Sequence, residues 1–264
     1  MKRHLFLVLC VALAAVCHWS CRREAPTPGI NLEQLYRPAM QHIMAPGMGT
    51  VGIIDEGHIN IYYFDESGQW LLDSASQFII PENNQGVLAM GMGTIAVVKD
   101  KQLHFYRLNA FNRWQEEGYL KFRLPSKYDR LMAMKMPWEI GVVVVESDGI
   151  LDFYFFYEDE WQHDPTASFI IPQGISDYYP AGDMTIAVVD QQKLGLYFLG
   201  PEEGWEFMDH ESFVLLLPDG YMGIIPYDRQ KIGVLVDNSL HFFAIDLEGD
   251  RWISLNELKF DLPF

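Results

Sequence analysis

Short runs of β-branched and aromatic residues recur from about residue 41 to the C-terminus, and Gly, Asp and Asn separate them. Branched and aromatic side chains fit a pleated strand, and the separating residues favour turns. Beyond the N-terminal segment the sequence shows no amphipathic helical period of about 3.6 residues. The pattern therefore predicts an all-β protein.

One tryptophan marks each unit of a repeat. Five of the seven tryptophans are followed eight residues later by a phenylalanine, and a proline closes each unit soon afterwards. The tryptophans are Trp70, Trp114, Trp161, Trp205 and Trp252, and the phenylalanines are Phe78, Phe122, Phe169, Phe213 and Phe260. Successive tryptophans are 44, 47, 44 and 47 residues apart. A fixed period of this length is typical of repeat architectures.

Each repeat contains four strand-like runs. In the first repeat they are TVGIID, INIYYF, a run that begins at the tryptophan, and GVLAM after the proline. Four strands in about 45 residues are the content of a propeller blade. The sequence therefore predicts a five-bladed β-propeller with four-stranded blades. The predicted repeats are about 47–90, 91–134, 135–181, 182–227 and 228–264.

The last repeat stops at Phe264 and lacks a fourth run. Segment 41–45 lies just before Thr50, and the fourth run of the first repeat lies just before Thr94. The distance in sequence is the same in both cases. This spacing predicts that the N-terminal strand 41–45 closes the last blade beside residues 258–263. Such a closure removes open sheet edges, which otherwise invite association.

The third position of the first run is small in every repeat: Gly52, Ala96, Gly141, Ala187 and Gly233. Because strands crowd where they converge, we predict that the first run lines the propeller axis. The alternative is a set of strand glycines that mark bulges. The repeated tryptophans are interpreted as residues that pack blade against blade. A ring of sugar-stacking platforms is the alternative for them.

The N-terminus has the features of an export signal. A basic start is followed by an apolar run over 5–16 that is too short to span a bilayer. Ser20-Cys21 then resembles a lipobox, and the chain is similar to exported Bacteroidota lipoproteins that carry a five-bladed propeller. An ordinary cleaved signal peptide with an incidental cysteine is the alternative.

This resemblance implies a signal peptide over 1–21, a lipid on Cys21, a polar tether over 22–34 and the propeller over 35–264. It implies a location on the bacterial envelope, at the periplasmic face or on the outer membrane, with the membrane reached through the lipid. It transfers no functional residues, because propellers host unrelated functions.

Charge and cysteine content narrow the function classes. The formal net charge is −17, and removal of residues 1–21 takes away Lys2 and Arg3 but no acidic residue, which leaves −19. A surface this acidic repels phosphate backbones, so we expect no nucleic-acid partner. All three cysteines lie at or before Cys21, which excludes a disulfide framework and a cysteine metal site from the mature chain.

The sequence contains no motif of nucleophilic, metal-dependent or nucleotide-dependent catalysis. G-x-S-x-G, H-E-x-x-H and P-loop patterns are absent, and no pair of histidines has metal-ligand spacing. We therefore predict a monomer that is not an enzyme and that has no cofactor, no catalytic residue and no metal site.

Departures from the repeat consensus indicate one face of the propeller as the binding surface. The loops that enter the first run have the sequence GMGT in two repeats and differ in the others. The candidate residues for ligand or partner binding on these loops are Trp138, Glu139, Asp183, Arg229 and Lys231. Trp138 is the leading candidate because it lies outside the repeating set. Exposed variation without a role is the alternative.

Two further features have a structural and a functional interpretation. The methionines Met48, Met90, Met92, Met134, Met136 and Met184 lie where one repeat passes to the next. They either fill the core or form a soft apolar rim for a ligand. Acidic turns such as 158–160 and 246–250 are either solvated or bind calcium or a basic partner, but none has the EF-hand loop pattern.

The sequence favours a non-enzymatic binding or scaffolding module whose partner is a protein or a glycan. The alternative is a carbohydrate-active propeller, either a lectin or a glycoside-cleaving enzyme. Glycoside cleavage requires paired carboxylates, and only Glu139 and Asp183 approach the axis in the predicted arrangement.

Overall fold

Two-residue turns join the strands of the chain into hairpins. In five such turns the first residue has a positive φ; these residues are Glu56, Asp100, Asp148, Gln191 and Asp237. The strand registers close across two residues, as in the pairs Asp55↔His58 and Val236↔Ser239. This left-handed turn backbone matches the right-handed twist of antiparallel strands.

The computed structural model describes residues 42–47, 49–136, 140–200, 204–228, 230–246 and 251–263. The predicted signal peptide, the tether and Cys21 lie outside these residues. Within them the chain forms 23 strands in five antiparallel sheets, with three short 3-10 turns at Gly118–Leu120, Glu211–Phe213 and Asn256–Leu258.

The strands follow one another in chain order within each sheet. The first sheet contains β1 (Ile43–Met44), β2 (Thr50–Asp55), β3 (His58–Phe64) and β4 (Trp70–Ile79). The second contains β5 (Gly86–Gly91), β6 (Thr94–Lys99), β7 (Gln102–Leu108), β8 (Trp114–Glu116) and β9 (Phe122–Arg123). The third contains β10 (Arg130–Met134), β11 (Val142–Ser147), β12 (Ile150–Tyr157) and β13 (Glu160–Ile170).

The fourth and fifth sheets repeat the plan. The fourth contains β14 (Asp177–Gly182), β15 (Thr185–Asp190), β16 (Lys193–Gly200), β17 (Gly204–Phe207) and β18 (Leu215–Leu216). The fifth contains β19 (Tyr221–Asp228), β20 (Lys231–Val236), β21 (Ser239–Asp246), β22 (Arg251–Ser254) and β23 (Phe260–Asp261). The short last strands β9, β18 and β23 pair with the third strand of their own sheet.

The first strands of the sheets, β1, β5, β10, β14 and β19, lie against one another around a central axis. The five sheets therefore form a five-bladed β-propeller, which confirms the predicted fold class. The strand that lines the axis was predicted wrongly. Runs such as TVGIID form the second strand of each blade, because each pairs with the run that precedes it in sequence.

The predicted closure of the last blade by the N-terminal strand is also wrong. Strand β1 pairs with β2 in the first blade, with Ile43 opposite Ile53 and Met44 opposite Gly52. Strand β23 pairs with β21 instead. Segment 41–45 is close to Thr50 because the two form a local hairpin with a short connection. Strands β5 and β6 form the equivalent hairpin in the second blade. Each sheet therefore consists of one continuous stretch of chain.

The repeated tryptophans join each blade to the preceding one, which confirms their predicted packing role. Every indole N–H donates to a backbone carbonyl of the neighbouring blade. The pairs are Trp114 with Ser76, Trp161 with Leu120, Trp205 with Ala167 and Trp252 with Phe213, each at 2.8 Å, and Trp70 with Leu258 and Lys259 at 3.2 Å. Trp70 also contacts the ring of Phe260 edge-on at 5.0 Å. Packing between side chains therefore holds the first blade to the last.

The small residues of the second strands fit tightly packed positions. A Cβ on Gly52 would lie 2.9 Å from Cγ2 of Ile59, and one on Gly141 would lie 2.4 Å from the carbonyl oxygen of Met90. Ala96 and Ala187 are fully buried. The crowding inferred from the sequence is present, but these residues lie one strand out from the axis and contact both the first strands and the third strands.

Candidate functional site

One face of the propeller carries the connections between first and second strands and those between third and fourth strands, because neighbouring strands run antiparallel. We call it the upper face. A groove of about 530 Å³ opens there between the fourth and fifth blades. Its lining residues are Met136, Asp183, Met184, Thr185, Leu196, Phe198, Leu199, Met208, Gln230 and Ile245.

Apolar side chains dominate the groove. Three methionines, three further aliphatic residues and Phe198 provide the walls, and Phe198 is 45% exposed. The polar members are Asp183, Thr185 and Gln230. Asp183 and Gln230 both have positive φ in their turns, and the Thr185 hydroxyl donates to the carbonyl of Asp183 at 3.3 Å. An apolar pocket with few polar groups is the usual form of a ligand site.

The predicted site residues have different positions relative to this groove. Asp183 lines it. Lys231, at the start of β20, instead forms an ion pair with Asp228, with 3.5 Å between Nζ and Oδ2. Trp138, Glu139 and Arg229 lie outside the described residues.

The methionines of the repeat junctions divide between core and groove. Met90 and Met134 are fully buried, which agrees with core filling. Met136 and Met184 line the groove, and Met92 is 42% exposed. Met48 lies outside the described residues. Core filling therefore describes Met90 and Met134, whereas Met136 and Met184 form part of an apolar groove.

Lys135 connects blades at the upper end of the axis. Its Nζ donates to the carbonyl oxygens of Pro226 at 2.6 Å and Tyr227 at 2.9 Å, both in the fifth blade. The aliphatic part of the Lys135 side chain packs beside Gly91. A Cβ added to Gly91 would lie 3.2 Å from Cγ of Lys135. A side chain at Gly91 would therefore displace the lysine.

The environment of Lys135 favours its neutral amine. Burial lowers the pKa of Lys135 to about 7, although the nearby Asp228 carboxylate acts in the opposite direction. Burial also raises the pKa of Tyr227, and the Asp228 carboxylate adds to that rise. The upper end of the axis is thus a place where charge is costly.

The axis itself is nearly filled. A cavity of about 40 Å³ lies between the first strands, among residues such as Met44, Met132 and Ile225. This volume holds one or two water molecules at most. Arg130 and Asp177 form an ion pair at the other end of the axis, with 3.7 Å between Nη1 and Oδ1. The Tyr179 hydroxyl donates to the same carboxylate. Among the described residues, this axial cavity is too small for an organic ligand.

One acidic turn residue, Asp65, caps its own turn. Asp65 accepts hydrogen bonds from the backbone N–H of Gln69 at 2.9 Å and of Ser67 at 3.0 Å. These bonds, that from Gln69 most of all, lower the pKa of Asp65. In the part of the chain that the structure describes, no three His, Cys, Asp or Glu residues lie close enough to hold a metal ion.

Comparisons with known proteins give distant likenesses. No protein-family model matches the chain, and no curated protein matches it in sequence. A solved structure of a Lactobacillus plantarum protein is 10% identical, with a TM-score of 0.40, and the match covers 81% of this chain and 69% of that one. A candidate 6-phosphogluconolactonase from Bacteroides fragilis is 10% identical, with a TM-score of 0.36 and coverage of 81% and 68%.

Hsv2 from Kluyveromyces marxianus is 14% identical, with a TM-score of 0.36, and the match covers 82% of this chain and 84% of that one. The assignment of a propeller rests on the sheet topology described above. Among the described residues, no helix is long and apolar enough to cross a membrane.

Proposed function

We propose that this protein is a non-enzymatic binding module, exported and held at the bacterial envelope by a lipid on Cys21. The groove on the upper face is its binding site. The observation that carries the proposal is an apolar groove of about 530 Å³ on the face where the loops depart from the repeat. A monomer rarely exposes an apolar concavity of this kind without a binding role.

The chemistry of the groove favours a protein partner over a glycan. Methionine side chains adapt to apolar ligands of irregular shape and are common at peptide-binding surfaces. The net charge of −17 and the Asp183 carboxylate in the groove favour basic residues beside the bound group. The expected ligand is therefore a protein segment that combines apolar side chains with lysine or arginine.

A glycoside-cleaving enzyme needs two carboxylates that face each other across the substrate. Asp183 is the only acidic residue among the described residues of the groove. Turnover of glycosides that disappears in Glu139→Gln would contradict the proposed binding role, since Glu139 is the other acid predicted near this place.

Phe198→Ala provides the test of the groove. We expect this substitution to lower affinity for the uncharged fluorescent probe N-phenyl-1-naphthylamine about tenfold, because an aromatic wall is lost. Fluorescence titration measures the change. Phe207→Ala is the matched control, since Phe207 is equally exposed at 45% but packs against Tyr197, with ring centroids 4.9 Å apart. Equal losses in both variants, or no loss in either, would exclude the groove as the site.

Cys21→Ser tests the anchor. We expect the full-length protein to incorporate labelled palmitate when it is expressed in a bacterium, and the Cys21→Ser variant to incorporate none and to leave the membrane fraction. Cys17→Ser serves as the matched control, because it removes a cysteine of the same signal segment and should leave the label intact. Label that persists in Cys21→Ser would show that this cysteine is not the lipidated residue.

A further inference from the structure

Lys135 connects the three loops that supply the upper edge of the groove. Its Nζ donates hydrogen bonds to the carbonyl oxygens of Pro226 and Tyr227 in the fifth blade. These two residues lie shortly before Gln230 in sequence. Its own carbonyl oxygen accepts the N–H of Asp183 in the fourth blade at 3.1 Å. Met136, the next residue in the third blade, lines the groove directly. One residue thus connects groove-lining segments from three blades.

A neutral amine can make both hydrogen bonds of Lys135. A neutral amine has two N–H donors, and an ammonium group has three together with a full charge. The two acceptors here are carbonyl oxygens at 2.6 and 2.9 Å. A buried ammonium group requires hydration or a close carboxylate to offset the loss of solvent. Protonation therefore favours conformations in which water reaches Nζ and the bonds to the fifth blade loosen.

We propose that Lys135 is a positioning residue that fixes the shape of the groove, and that protonation of its amine loosens the groove and weakens binding there. The inference rests on the groove being the binding site. It makes the protein a binder whose affinity falls as its surroundings become acidic. This role follows from the burial of the Lys135 side chain and its two hydrogen bonds to carbonyl oxygens. The lowered pKa places the change in protonation at about pH 7.

The titratable groups around Lys135 come from the third, fourth and fifth blades. From the fifth blade, Asp228 acts on the amine electrostatically and Tyr227 accepts its hydrogen bond through the backbone carbonyl. From the fourth blade, the backbone N–H of Asp183 donates to the carbonyl oxygen of Lys135. Arg130 lines the far part of the axial cavity. Aspartate, tyrosine and arginine side chains ordinarily titrate far from pH 7, and no histidine is among the described residues that line the groove or the axial cavity.

The test measures binding of N-phenyl-1-naphthylamine to the wild type, Lys135→Met and Asp228→Asn between about pH 6 and about pH 8.5, on either side of the lysine's value of about 7. We expect the wild type to bind more weakly at the acidic end. Lys135→Met should bind roughly 2- to 30-fold more weakly than the wild type at the alkaline end, the range for residues that act through a neighbour, and should show no pH dependence. In Asp228→Asn the midpoint should move to lower pH, because the carboxylate that favours the ammonium form is gone.

The outcomes separate this inference from the proposed function. If the wild type shows no binding that depends on Phe198, the groove is not the site, and both proposals fail. If binding depends on Phe198 but Lys135→Met keeps the wild-type affinity and pH profile, only the role of Lys135 is overturned. Should Lys135→Met fail to fold, Asp228→Asn decides, and an unchanged midpoint in that variant overturns the inference.

Discussion

Trp70→Ala should lower the free energy of unfolding by about 3–5 kcal/mol, the usual cost of removing a large aromatic residue from a packed site. Trp70 holds the first blade to the last. Its indole stacks on Phe242 at 5.8 Å and meets Phe260 at 5.0 Å, and its N–H reaches the carbonyls of Leu258 and Lys259. Within the described residues no strand crosses this boundary, so side-chain contacts close the ring, and Trp70 provides several of them.

Urea denaturation followed by circular dichroism measures the effect. Trp70→Phe separates packing from hydrogen bonding, because it keeps an aromatic ring and loses the N–H, and it should cost about 1 kcal/mol. Trp205→Ala is the comparison at an internal boundary, where the N–H donates to Ala167 at 2.8 Å. A loss below about 0.5 kcal/mol in Trp70→Ala, the range of most surface changes, would show that the ring closes by other contacts.

The free energy of unfolding should rise with pH above neutrality because of Lys135. Its pKa is about 7 in the folded protein and 10.5 in the unfolded chain, so the unfolded chain binds more protons between these values. Stability then increases with pH through that window, with a slope of at most about 1.4 kcal/mol per pH unit. Below about pH 7 both states are protonated, and the full cost of the buried charge is present.

Denaturation curves between about pH 7 and about pH 9.5 test this slope, below the range in which unfolded tyrosines ionise. That upper limit matters because burial raises the pKa of Tyr178 and Tyr227, and such groups lower stability once the unfolded chain ionises. Lys135→Met should remove the slope. A slope that persists in this variant would assign the effect to other groups.

Much of the fold was predictable because the repeat specifies it at five places. Tryptophan, phenylalanine and proline recur at fixed offsets, and the structure uses the tryptophans at every blade boundary. The pairing of strands within blades was harder to predict from the sequence. A periodic sequence has no natural starting point, so a run such as 86–91 can be assigned to the end of one repeat or to the start of the next. The observed hairpin between β5 and β6 shows that the run 86–91 starts its blade.

The candidate site was predictable only in part. Departures from the repeat led to the face on which the groove opens and to Asp183, which lines it, because loops between blades are free of the packing that constrains the strands. Phe198, Met208 and Ile245 gave no such signal, since their positions in the groove depend on how two blades meet. The sequence also contains a signal for Lys135. It follows Met134 as Gly91 follows Met90, so a lysine stands where a neighbouring repeat has glycine.

Each blade is a single stretch of chain, from 43–79 to 221–261, and this arrangement affects how the protein is made. A sheet built from sequential hairpins has low contact order, which favours rapid folding. During synthesis or export, a blade can pair all its strands before the next one emerges. No blade needs a strand from the other end of the chain, whereas a blade shared between the two termini would need one. The contacts between the first and fifth blades, such as those of Trp70 with Phe242 and Phe260, then form last, so we expect the newly made chain to pass through an open arc of finished blades.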